Sequence, residues 1–178
     1  ALCLAGHGVM GVELSGNRAT LAVSCPRWNH SHQDELVLFD VPSSKTQSFH
    51  APQVGPGAGY PFAISADFSI AAHGVGNAQK SFARVVDLKT GKEVWKSEVV
   101  TPGEWVECLA ISPDKKLVVV GQGLASPTLR VWDIEQDKLV ARLEGHMAYV
   151  RHVSFTAARQ LVSCGADRTV RIWDLADR

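Results

Sequence analysis

One ending recurs four times along the chain. Leu36 to Asp40, Ala83 to Asp87, Leu129 to Asp133 and Val170 to Asp174 each close a short apolar run on an aspartate, and these aspartates lie 47, 46 and 41 residues apart. Recurrence at such a period marks a small supersecondary unit repeated in tandem. A lysine stands five positions after each of the first three aspartates (Lys45, Lys92, Lys138). The residues between, Pro-Ser-Ser, Lys-Thr-Gly and Glu-Gln-Asp, have the composition of hairpin turns.

A second landmark precedes each ending. Leu14 to Asn17, Ile64 to Asp67, Ile111 to Asp114 and Phe155 to Ala158 each close an apolar run with a small turn, and a further apolar run follows. A short outer run opens each unit: Leu2 to Ala5, Thr46 to Phe49, Glu93 to Val99 and Lys138 to Leu143. Each unit therefore reads strand, strand, turn, strand, variable loop, strand, and no segment has the 3.6-residue periodicity of an amphipathic helix. Runs such as Val118-Val119-Val120 are apolar on both alternations, so both faces of the sheet must be covered. Small four-stranded sheets fanned around an axis achieve this and expose only short edges. The expected fold is an all-β propeller with four four-stranded antiparallel blades.

The last unit, from Gly145-His146 through Asp167 to Trp173-Asp174, resembles the WD40 repeat family at the Gly-His opening, the turn aspartate and the Trp-Asp ending. The third keeps Trp132-Asp133 and Ser112-Pro113-Asp114, but has Thr101-Pro102 for Gly-His and Gln122 with a longer loop near the turn aspartate. The second keeps Val86-Asp87, and the first Gly6-His7 and Phe39-Asp40. The resemblance implies a partial WD40 β-propeller over residues 1–178, with repeats at approximately 1–40, 41–87, 88–133 and 134–174. It also implies a structural hydrogen-bonded set of His146, Ser163, Asp167 and Trp173. Rings of this family usually carry seven blades, so the four units imply part of a larger ring. A closed four-blade ring and two copies completing an eight-blade ring are the alternatives.

The 18 Lys and Arg balance 18 Asp and Glu among 178 residues. That balance argues against a general nucleic-acid footprint, and no nucleic-acid partner is expected. Apolar runs are too short for a helix to cross a bilayer, and no membrane role is expected. The four cysteines, Cys3, Cys25, Cys108 and Cys164, form no CxxC pair and read as reduced thiols, which points to the cytoplasm. The chain opens with Ala1 rather than Met, which we read as processing, trimming or excision from something longer.

Large residues fall on the loops at one end of the predicted blades. Trp105 and Tyr149 each sit seven positions before their turn landmarks, Ser112 and Thr156, and so mark equivalent points near a channel mouth. Tyr60, Met147 and Arg168 lie close by, and the insertion after Cys25 presents Trp28, His30 and His32. Aromatic and arginine side chains on a loop rim suit partner contact. Glu107 and Arg151, two positions further along the innermost strands, are expected to line the channel and to be close enough to pair. Cys25, His30 and His32 match no standard zinc spacing and lack a ligand, so no metal is expected. Gly121-Gln122-Gly123 leads into Pro127 and a strand, not into the helix a dinucleotide loop requires, and no cofactor is expected. A Ser-His-Asp nucleophile is equally unexpected, because no G-x-S-x-G elbow occurs.

The resemblance thus implies a non-catalytic scaffold that binds a protein or peptide on the loop face, with self-association if the ring is incomplete. Its alternatives are an accessory propeller of a larger enzyme or signalling protein, or a cytoskeletal propeller. For the last, the Gly-Gln loop is similar to blades of the echinoderm microtubule-associated-protein-like group.

Overall fold

A computed structural model describes residues 11–14, 20–25, 35–40, 42–50, 61–77, 80–97, 104–123, 126–156 and 160–175. They form four antiparallel sheets. The first holds β1 (Gly11–Leu14), β2 (Thr20–Cys25), β3 (Glu35–Asp40) and β4 (Lys45–His50). The second holds β5 (Phe62–Ile64), β6 (Ile70–Asn77), β7 (Lys80–Asp87) and β8 (Glu93–Lys96). The third holds β9 (Val106–Ile111), β10 (Leu117–Gln122), β11 (Leu129–Asp133) and β12 (Lys138–Leu143). The last holds β13 (Val150–Phe155), β14 (Gln160–Gly165) and β15 (Val170–Asp174). No helix occurs among the described residues. The all-β expectation of small antiparallel sheets holds, with one difference: the last sheet has three strands, not four. In each other sheet the outer strand comes from residues after the Asp ending, and the described residues stop at Leu175. Sheet and sequence repeat are thus offset by one strand. The run at Leu2 to Ala5 lies outside the described residues.

The recurring polar residues make the turns. The carboxylates of Asp40, Asp87 and Asp133 accept from the backbone N–H groups of Ser43, Thr90 and Gln136 at 2.8, 2.7 and 2.8 Å. The next position is left-handed each time: Ser44 (φ 56°), Gly91 (φ 69°) and Asp137 (φ 50°). This turn geometry returns the chain antiparallel at the following lysine, which accounts for the Asp-to-Lys spacing. The hydroxyls of Ser65 and Ser112 donate to Asp67 and Asp114 at 2.8 and 2.6 Å, closing the inner hairpins in the same way.

The core lies between sheets. Ala63, Ala72, Ala83, Val85 and Trp95 of the second sheet meet Val106, Leu109, Val118, Val120 and Trp132 of the third. One sheet further on, Ala110, Val119, Leu129, Val131 and Ala141 meet Val150, Val153 and Leu161. Cross-strand register makes the two interfaces equivalent position by position. Polar links reinforce the first interface. Lys115 Nζ reaches Asp67 at 2.7 Å, Trp95 Nε1 donates to Asp137 at 2.9 Å, and the Trp95 and Trp132 rings lie 5.8 Å apart.

His73 sits on β6 and accepts from Arg84 Nε at 2.7 Å, which requires a neutral ring. Burial, aided by the Arg84 charge, pushes its pKa down to about 3. The unfolded chain takes up this proton near pH 6.5 and the folded chain only near pH 3, so stability is full above about 6.5 and falls as pH drops through that window. His73→Gln keeps an acceptor for Arg84 without the titration. From pH 7 to pH 5 the native chain should lose about 2 kcal/mol that the variant does not lose, read from urea midpoints at the two pH values.

Candidate functional site

The last sheet brings His146, Ser163, Asp167 and Trp173 into one chain of hydrogen bonds. His146 Nδ1 lies 2.8 Å from Asp167 Oδ2 and His146 Nε2 lies 2.8 Å from Ser163 Oγ. The Trp173 indole N–H donates to Ser163 Oγ at 2.8 Å. A carboxylate only accepts, so Nδ1 carries the proton, Nε2 accepts from the serine O–H, and the serine oxygen accepts from the indole. Asp167 Oδ2 also accepts from the Met147 N–H at 2.9 Å, and Oδ1 accepts from the Thr169 N–H at 3.0 Å. Burial alone would raise the Asp167 pKa, but the Met147 N–H, the His146 ring and Thr169 together hold it well below the usual carboxylate range. The His146 and Asp167 side chains are 1% and 5% exposed. A serine sealed behind them, with its oxygen engaged by an indole, has no approach for a substrate. These four residues therefore act as an internal tie between β13, β14, β15 and the loops joining them.

Gly165 makes room for the tie. A Cβ there would stand 2.8 Å from His146 Nδ1 and 2.9 Å from Asp167 Oδ1. In the third sheet Gln122 holds the register position of Gly165, and Val120 that of Ser163. Gln122 is 0% exposed, and its side-chain nitrogen and oxygen find no partner among the described residues. Neither the tie nor the glycine that accommodates it exists in that sheet.

The tie also shapes the loop end of the molecule. Asp167 fixes the Met147 backbone, the Ala166 N–H donates to the Tyr149 carbonyl at 3.0 Å, and the Arg168 N–H donates to the Gly165 carbonyl at 3.2 Å. Met147, Tyr149 and Arg168 are thereby gathered at one end of the sheet. Met147 is 84% exposed and Arg168 is exposed with φ 64°. Trp105, half-buried, immediately precedes β9 as Tyr149 precedes β13, and β9 and β13 are in contact. The Arg151 guanidinium lies 4.4 Å from the Tyr149 ring centre and donates to its hydroxyl. The sequence places Arg151 near Glu107 but does not announce this stack. Its available signal was the i, i+2 spacing across the strand entry, which puts side chains on one face. Burial pushes the Glu107 carboxyl up, and the Arg151 charge opposes that rise. Trp28, His30, His32 and Tyr60 lie outside the described residues, as does most of the insertion after Cys25. Among the described residues, no group of three or more His, Cys, Asp or Glu is arranged to hold a metal ion.

Residues 95–133 and 137–174 match the WD domain, G-beta repeat. The Small ribosomal subunit protein RACK1y of Oryza sativa subsp. japonica is 34% identical over 74 residues, 41% of this chain and 22% of that protein. The WD repeat and SOCS box-containing protein 1 of Homo sapiens is 30% identical over 116 residues, 64% of this chain and 26% of that protein. The Autophagy-related protein 16 of Arabidopsis thaliana is 26% identical over 151 residues, 84% of this chain and 28% of that protein. The chain thus spans less than a third of each of these relatives.

Ser163→Ala would leave the indole N–H and a histidine nitrogen unpaired and should cost about 1–3 kcal/mol. Trp173→Ala also empties the half-buried ring site and should cost about 3 kcal/mol, the lower end of the range for a large aromatic. Chemical denaturation of the two variants checks both values. Residues 95–133 and 137–174, running from the end of β8 to β15, are thus WD40 repeats.

Proposed function

We propose that this chain is a non-catalytic scaffold that takes a protein or peptide partner on the loop end formed by Met147, Tyr149 and Arg168, with Trp105 beside them. WD40 repeats are commonly protein-interaction scaffolds. The observation that carries the proposal is the double use of Asp167: one buried carboxylate fixes both loops that present these side chains. The face is therefore preorganised, which lowers the ordering cost of binding. Met147 offers an adaptable apolar contact and Arg168 an exposed positive charge. The partner segment that fits is an apolar anchor with an acidic neighbour. An accessory role within a larger protein is the second reading, favoured by the small share of each relative that the chain spans. A cytoplasmic setting belongs to the same proposal and is supported by the free thiols Cys108 and Cys164.

Selection of a displayed peptide library on the immobilised chain should return acidic-hydrophobic peptides whose affinity falls with salt. Met147→Glu combined with Arg168→Glu should weaken the selected peptides at least tenfold with an unchanged melting temperature. Val140→Lys, at an exposed site on β12, should leave affinity unchanged. Peptides that bind equally to the double variant would place the site elsewhere.

A further inference from the structure

The loop end of the seam between the second and third sheets carries polar groups where the rest of that seam is apolar. Gln122 follows Val118 and Val120 at alternate positions of β10, and both valines belong to the core shared with the second sheet. Its cross-strand partner Val106 belongs to the same core and gives its N–H to Ser81 Oγ of β7 at 3.2 Å. Gln122 therefore stands on the face turned to the second sheet. A Cβ on Gly123 would lie 3.6 Å from the Trp105 nitrogen, so the segment before β9 continues alongside the end of β10. That course brings Glu104, two residues before Val106, to the position diagonal to Gln122. All three side chains are buried: Gln122 is 0% exposed, Ser81 3% and Glu104 4%. The amide nitrogen and oxygen of Gln122 and Oε2 of Glu104 have no hydrogen-bond partner among the described residues. No ion pair engages Glu104 there either.

We infer that Glu104 Oε2, Gln122 Oε1 and Ser81 Oγ hold one small monovalent cation, of the sodium or potassium class, between the two sheets. An orphan amide alone is satisfied by a buried water. A buried carboxylate asks for more, because water supplies hydrogen bonds but no opposite charge, and an isolated charge is far costlier to bury than an unpaired dipole. The donors are all oxygens, which hard cations favour and soft transition metals do not. One carboxylate balances one positive charge, whereas a divalent ion would leave net charge buried. The Ser81 oxygen keeps a lone pair after accepting from Val106. In the last sheet the buried carboxylate of Asp167 is engaged by His146, Met147 and Thr169 from its own loops. The cation supplies for Glu104 what those donors supply for Asp167. Held there, it ties the residue directly before Trp105 to the second sheet.

Thermal unfolding of the 178-residue chain at fixed ionic strength tests the site. Replacing choline chloride by sodium or potassium chloride should raise Tm saturably, by about 5 °C at about 100 mM of the better-fitting ion. Glu104→Gln removes the charge and Gln122→Met the amide, and each should abolish the rise. Ser163→Ala, in the last sheet, should keep it. Crystals of the unchanged chain grown with thallium(I), a heavy stand-in for these ions, should show an anomalous peak between Glu104 and Gln122, which decides the matter if a variant fails to fold. The same Tm in all three salts, or a crystal with no thallium at Glu104, overturns the inference and leaves water as the occupant. A cation-dependent rise that survives Glu104→Gln overturns it equally.

Discussion

A short antiparallel sheet that is apolar on both faces cannot stand in water alone, and the rest of this structure follows from how each sheet covers the next. The two described contacts are complementary in size. The second sheet offers a row of alanines (Ala63, Ala72, Ala83), and the third answers with the larger Val106, Leu109 and Val118. Small against large lets side chains interdigitate to interior density in unstrained rotamers. The outer strands add a second seam, where Trp95 combines ring contact with a hydrogen bond to Asp137. Burial supplies the driving force, and the polar links fix the register in which sheets meet.

The position of Ser163 shows three answers to one problem near the inner end of a sheet. In the last sheet the serine belongs to a fully paired network with His146, Asp167 and Trp173. In the third, Val120 makes the site apolar. In the second, His73 stands there and is engaged by Arg84. A buried polar network stabilises only when every member is satisfied. Loss of one member therefore favours loss of the set, and the third sheet lacks the histidine, the serine and the accommodating glycine together.

Structure and proposed function meet at Asp167. Its carboxylate is buried within the sheet, yet it fixes the backbone beneath Met147, the most exposed large apolar side chain among the described residues. The partner face is thus an extension of the internal tie rather than a separate device. The Arg151 stack on Tyr149 stiffens the neighbouring position without involving the tie.

Strand order and turn positions were legible in the residues, and the hydrogen-bonded set of the last sheet through the family resemblance, because each depends on contacts within one repeat. The Asp-to-Lys spacing encodes a hairpin with one left-handed residue, and the Gly-His, Asp and Trp landmarks encode partners that a single sheet brings together. Other features belong to pairs of elements far apart in the chain, and no local pattern announces them. They include the offset between repeat and sheet, the Asp67–Lys115 and Trp95–Asp137 links, and the stack of Arg151 on Tyr149. The exposure of Val170 and Ile172 makes the point most clearly, since in sequence they match the fully buried Leu129 and Val131. A residue's type sets how strongly it avoids water, but only the presence of a neighbouring sheet decides whether water reaches it.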